Sequence, residues 1–299
     1  MRRGHILGIF CTVILGVSVI LGRGESSERE TYRRVSDSLE VLMRSPTGRA
    51  LLERSRKQWK FDSYRELVSI FRWGAVSRTD AVLTRHFDPK SGTEERDRRI
   101  TIYLKRDQAL ADLVMDMAHE MTHATARPSW DPYDPELTPA RYIWTSIEGP
   151  GGEADAVYEE CQVGLELSAR FGMPAMRCSR YVTTVSENQV DRKKILADFY
   201  RVGRWSSELR DLLGGEGSRF PLLSAEKPQL FSSTGHAPYP IALLREFEEI
   251  SEIACANSKK RLSALNAQSA PARAPASDSH RTAQQSEQSL SDFLARRCL

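Results

Sequence analysis

Five residues near the middle of the chain, His119-Glu120-Met121-Thr122-His123, have the types and spacing of a metal-assisted hydrolytic site. Two histidines four apart on a helix project to one side, so both imidazoles can reach a single ion. Zinc takes imidazole nitrogen well, and a catalytic site needs three protein ligands plus an open position for water. Glu120, beside His119, would accept a proton from that water as general base. The motif supplies only two ligands, and after His123 no histidine occurs before His236. A carboxylate is therefore the candidate for the third. Glu153 directly follows Gly149-Pro150-Gly151-Gly152, a turn that brings the backbone close and aims the first side chain of a helix. Glu148, in the loop, is the competitor and Asp155 a weaker one. Preorganisation on a helix favours Glu153.

These residues need elements to hold them. From about Gln108 to Thr125 the pattern is helical, with Asp107 placed as N-cap. Leu110, Val114, Met117 and Met121 fall on one stripe of that helix, while Asp112, His119 and His123 fall opposite, so the two histidines avoid the apolar side. Before it, Arg99-Ile100-Thr101-Ile102-Tyr103-Leu104-Lys105 reads as a strand, preceded by a polar loop over residues 86–97. Residues 128–152, rich in Pro, Asp, Tyr and Gly, read as a long loop, and a second helix opens near Glu153 and stops before Gly172. Further helices are expected over Val190–Tyr200, Ser206–Leu213 and Ile241–Ser258.

The chain divides into a leader (1–24), a helical N-terminal region (25–85), a catalytic domain with a helical C-terminal part (86–262) and a tail (263–299). The tail from Leu265 to about Ser289 is rich in Ala, Ser, Gln and Pro, which predicts disorder, and a short amphipathic end, Leu290 to Leu299, follows it. Arg2 and Arg3 precede an uncharged apolar stretch, Ile6 to Gly22, and a polar segment comes next. That layout predicts export, through a cleaved signal peptide or with residues 6–22 as a membrane anchor. The product would be secreted, periplasmic or membrane-anchored. Of five cysteines, Cys11 lies in the leader; Cys161, Cys178, Cys255 and Cys298 form no CxxC pair and fit structural disulfides with three possible pairings. With 43 basic against 40 acidic residues, the charge balance argues against nucleic acid as the main partner. Nucleophile elbows, phosphate-binding glycine loops and dinucleotide fingerprints are not found in the sequence.

The strand, the HEMTH helix and the stretch Glu153-Ala154-Asp155-Ala156-Val157-Tyr158-Glu159-Glu160 together resemble gluzincin metallopeptidases. In that group a helix of the form E-G-x-A-x-Y-x-E often carries the third zinc ligand as its first Glu. Glu153, Ala156, Tyr158 and Glu160 match, and Ala154 stands where Gly is common. The resemblance spans roughly residues 99–170 and points to no single named family. It implies an α+β, mainly helical, zincin-like fold with an active-site helix, a glutamate helix, and a small sheet with an edge strand above the cleft.

It also implies a Zn2+ cofactor, a peptide or protein substrate, and an extended substrate lying against the strand Arg99 to Lys105 by backbone pairing. Some gluzincins orient a zinc-bound His with an Asp four residues after the ligand Glu. Here that position is Val157, and Asp116 or Glu160 are the alternatives. A donor to the developing oxyanion is also required; His236 and Tyr239 are the candidates, with Tyr142 and Tyr158 behind them. Two other classes compete with a peptidase: a non-catalytic zincin-like envelope protein that binds a partner through its helices, and a helical interaction protein carrying the motif by chance.

Overall fold

In the computed structural model, which describes residues 30, 32–126, 130–183, 189–232, 237–268 and 278–298, two helices come first: α1 over residues 32–42 and α2 over Pro46–Trp59. Ser45 and Pro46 separate them. The Ser45 hydroxyl accepts from Gly48 N, and proline in the first turn removes an N–H that has no helical partner anyway. Three strands come next: β1 (Phe71–Gly74), β2 (Arg78–Asp88) and β3 (Thr93–Lys105). Their order is β1-β3-β2, with β1 parallel and β2 antiparallel to β3. Then come α3 (Leu110–Thr125), α4 (Pro139–Ile147), α5 (Glu153–Phe171), α6 (Arg192–Phe199), α7 (Ser206–Leu213), α8 (Tyr239–Gln268) and α9 (Asp278–Arg297). The protein is α+β and mainly helical.

The hydrophobic stripe of α3 explains its place. Leu113, Val114, Met117 and Met121 are fully buried with Leu39, Leu51, Leu52, Ile102 and Leu104, so α3 packs on the sheet and on α1 and α2. Leu110, at the exposed start of the helix, is 44% exposed and lies outside this core. Helix α5 crosses close to α3: a Cβ added at Gly164 would lie 2.7 Å from Met115 Sδ, so glycine is what allows the approach. A second core on the far side of α5 gathers Tyr142, Ile143, Cys161, Phe199, Phe220 and Phe247. Glu166 of α5 also accepts from Thr47 N and the Thr47 hydroxyl at 3.0 and 2.6 Å, and from the Ser45 hydroxyl, tying the N-terminal helices to α5.

Several expectations change. Residues 86–97, expected as a loop, belong mostly to a long hairpin whose turn is only 89–92. Asp88 closes that turn, with its carbonyl accepting from Gly92 N at 2.8 Å and its carboxylate accepting from Lys90 N and the Ser91 hydroxyl. The 85/86 boundary falls inside β2, so one sheet joins the residues on both sides of it. β3 is not an edge strand. It is the central strand of the three: residues 102–105 pair with β1 and 93–103 with β2, so 102 and 103 are paired on both sides and 99–101 with β2 alone, and the edges are β1 and β2. α3 begins at Leu110 with Ala109, not Asp107, at the cap position. The long loop contains α4, capped by Thr138 accepting from Arg141 N.

The tail departs most from the reading of its composition. α9 is helical because α8 offers it a partner. Phe293 is buried, the Arg297 guanidinium lies over the Phe247 and Phe293 rings, and Cys298 is bonded to Cys255. The second bridge joins Cys161 to Cys178. The leader lies outside the described residues, and among those described no helix is long and apolar enough to cross a membrane.

If Cys298 holds α9 against α8, Cys298→Ser will raise amide hydrogen exchange across 278–297 while 110–125 stays protected. Closing a loop of this length contributes about 4 kcal/mol in the chain-entropy picture. Unchanged protection in α9 would show that packing alone holds it.

Candidate metal centre

The closeness of α3 and α5 brings three electron-rich atoms to one point. His119 Nε2 and His123 Nε2 are 3.1 Å apart, and Glu153 Oε2 lies 3.6 Å from the first and 3.7 Å from the second. His119 and His123 project from one side of α3 as the i, i+4 spacing requires, and Glu153 is the first residue of α5. Among the described residues, this is one of two groups of His, Cys, Asp and Glu atoms close enough to share an ion. The other contains Cys161 and Cys178, whose sulfurs are already bonded to each other. Glu148, the competing third ligand, points elsewhere and accepts from the Tyr200 hydroxyl at 2.7 Å. Asp155 accepts from Gly151 N at 3.1 Å and from Arg192 at 2.8 Å, so it braces the glycine turn.

The outer nitrogens decide the tautomers. Gly151 O, which can only accept, lies 2.9 Å from His123 Nδ1, and a Glu160 oxygen lies 2.8 Å from His119 Nδ1. Both Nδ1 atoms therefore act as donors, and in the neutral rings both Nε2 lone pairs face the Glu153 carboxylate. With both rings neutral, three acceptors at 3.1–3.7 Å repel one another, and the cluster is relieved by a proton on His119 or by a cation among the three. Ligand atoms about 2.0–2.1 Å from a tetrahedral zinc lie roughly 3.3–3.4 Å apart, so the triangle fits that ion and leaves a fourth position. Gly151 is specific to this arrangement. Its φ is +70°, and a Cβ there would come within 1.9 Å of Ala126 Cβ at the end of α3.

The electrostatics arise from the same packing. Burial works against protonation of His119, but the Glu153 and Glu160 carboxylates outweigh it and hold its pKa well above the usual value. Burial pushes the Glu153 carboxyl up, yet His123 and His119 prevail and keep it below the ordinary range. Glu120 is 6% exposed, and burial raises its carboxyl despite the neighbouring histidines. The Thr79 hydroxyl, on β2, lies 2.8 Å from both Glu120 Oε2 and the Glu120 carbonyl oxygen. Tyr239, first residue of α8, hydrogen-bonds Glu153; burial and the Glu153 and Glu120 charges push its phenol up.

Behind His119 stands a relay of which the sequence offered two members, Glu160 and Asp116, but not Arg177 or Ser77. Glu160, rather than Asp116, orients the imidazole. Arg177 grips the other Glu160 oxygen through Nε at 2.7 Å and Asp116 through Nη1 at 2.7 Å. Asp116 in turn accepts from the Ser77 hydroxyl. The residues following Glu160 and Arg177 are Cys161 and Cys178, so the disulfide clamps the two segments at the point where the ion pair forms.

Of the other sequence candidates, Tyr142 is buried, set edge-to-face against Trp130 and bonded to Glu246, and Tyr158 packs against the second core. Val157 packs there too. His236 lies outside the described residues. Thr79 and Arg177 carried no motif: each is distant in sequence and reaches the site only through the sheet and the disulfide.

Scanned against protein-family models, and searched against curated proteins and solved structures, the chain finds no match.

Arg177 is a positioning residue in this arrangement. Arg177→Ala will weaken Zn2+ binding, read by competition with a chromogenic chelator, by about tenfold. It will also change the His119 ring resonances in NMR spectra of the metal-free protein, and Arg177→Lys will recover part of both. An unchanged affinity would show that Glu160 holds His119 unaided.

Proposed function

We propose that the chain is an exported zinc-dependent hydrolase that cleaves peptide bonds, with His119, His123 and Glu153 as metal ligands. The observation that carries this reading is the convergence of two histidine Nε2 atoms and one carboxylate oxygen within 3.7 Å, each histidine tied by its other nitrogen. Zinc bound there would polarise a carbonyl and lower the pKa of a bound water. The chain's own residues do the rest. Glu120 is held by Thr79, and its raised carboxyl is suited to take a proton from water and return it to the leaving amine. The Tyr239 hydroxyl stands at Glu153 as a donor to a developing oxyanion.

The disposition of elements supports a zincin-like fold: a sheet packed on α3, a glutamate helix α5 beside it, and β2 as the edge that passes Glu120. A closed structural zinc site would require a fourth protein ligand, and the group found among the described residues has three. That favours a catalytic site over a purely structural one. Two disulfides joining the four cysteines of the described chain support an oxidising compartment, in line with the apolar leader.

Glu120→Gln separates binding from chemistry. The variant will retain zinc, because no ligand is changed, and will lose about 10²–10⁴-fold in kcat on a quenched-fluorescence peptide pool. Thr79→Val, which removes only the hydroxyl donor, will lose less. Full activity in Glu120→Gln would overturn its role as base.

A further inference from the structure

The hairpin of β2 and β3 is longer than the helix it covers. Opposed pairs run Thr79–Ile102, Ala81–Ile100, Leu83–Arg98 and Arg85–Arg96, all on the face that packs on α3. Helix α3 ends at Thr125, where Arg98 Nη2 donates to Ala126 O at 3.0 Å. Beyond that point the same face looks toward α8, whose Arg261 pairs with Glu94 and lies over Phe87, and the space between them is a cleft of about 1280 Å³ with the hairpin as its floor. Trp59, Phe61, Trp130 and Tyr133 line it, and Thr79 stands at the end nearest Glu120. The cleft thus begins at Thr79, one hydrogen bond from Glu120, and runs along the hairpin.

Five arginines and two acids line it, with Glu94 behind them shared by Arg85, Arg96 and Arg261, so arginine is in excess, and burial raises the carboxyl of one of the acids, Glu246. Arg85 is buried, held by Glu94 and Asp131. Arg96 shares those two partners but is 55% exposed, and Arg99 is exposed too. Leu83 and Ile253 are apolar lining residues that face solvent at 44% and 60%. A ligand suited to this surface brings carboxylates for the guanidinium forks and apolar side chains between them.

We propose that this cleft is the extended substrate site and that it selects an acidic polypeptide, an inference that rests on the peptidase reading above. At about 3.3 Å per residue, Thr79 to the Leu83–Arg98 pair is roughly 13 Å and Thr79 to the Arg85–Arg96 pair roughly 20 Å. The preferred carboxylates therefore lie about four to six residues to one side of the scissile bond. Single-stranded nucleic acid also pairs with arginine and aromatics, but the exposed Leu83 and Ile253 and the near-neutral chain favour a peptide.

The test uses the zinc-loaded Glu120→Gln chain and fluorescent twelve-residue peptides that differ only in carrying Glu, Gln or Lys at those positions. An oligothymidylate of equal length is the comparison. Fluorescence anisotropy will show the Glu peptide binding about tenfold or more tighter than the Lys peptide, with the difference shrinking as salt rises. Arg96→Glu, at an exposed position on the cleft floor, will reduce the preference in a chain whose melting curve matches the parent. Equal binding of the three peptides, or tighter binding of the oligonucleotide, would overturn the inference. Wild-type cleavage of all three peptides at one rate would overturn it too while leaving the peptidase reading intact. Charge-selective binding without any cleavage would leave the cleft standing and overturn the peptidase reading instead.

Discussion

Everything else in this structure depends on holding three mutually repulsive acceptors together. His119 Nε2, His123 Nε2 and Glu153 Oε2 come from two helices, and neither helix alone can set the distances between them. In water such a cluster would disperse. Here each imidazole is fixed from behind, one by a charged carboxylate and the other by a backbone carbonyl, so neither ring can turn away. The site is preorganised by groups that do not themselves touch the ligand position.

The rest of the fold fixes where α5 lies relative to α3. Gly164 sets how close the helices come, and the tight turn at Gly151 delivers both its own carbonyl and the start of α5 against the end of α3. Glu166 anchors the middle of α5 to the α1–α2 junction. The Cys161–Cys178 bridge anchors α5 to the segment carrying Arg177. At the other side, α8 places Tyr239 against Glu153, while its far end is bonded to α9 and paired with the hairpin through Arg261 and Glu94. The helical C-terminus is thereby linked, through one continuous helix, to the region of the candidate ligands.

Much of the centre was legible because local rules governed it. The four-residue spacing of His119 and His123, and the glycine turn that aims Glu153, depend on helix geometry and backbone conformation alone. Glu160 was recognisable as an alternative to Asp116 because it lies on the Glu153 side of α5. What escaped depends on tertiary pairing. The hairpin strands around Arg85 and Arg96 are polar, so no alternation of apolar residues marked them, and their order is set by backbone pairing with β3. Thr79 and Arg177 became visible only when the sheet and the disulfide brought them in. α9 looked disordered by composition because its few apolar residues suffice only against α8.

On the proposed reading, one divalent ion is held by His119, His123 and Glu153. Elemental analysis of the purified full chain after identical dialysis tests it most directly, comparing wild type with Glu153→Ala and Glu148→Ala. We expect about one zinc per chain in the wild type and in Glu148→Ala, and its loss in Glu153→Ala. A folded wild-type protein without zinc, or a Glu153→Ala variant that keeps it, would contradict the account.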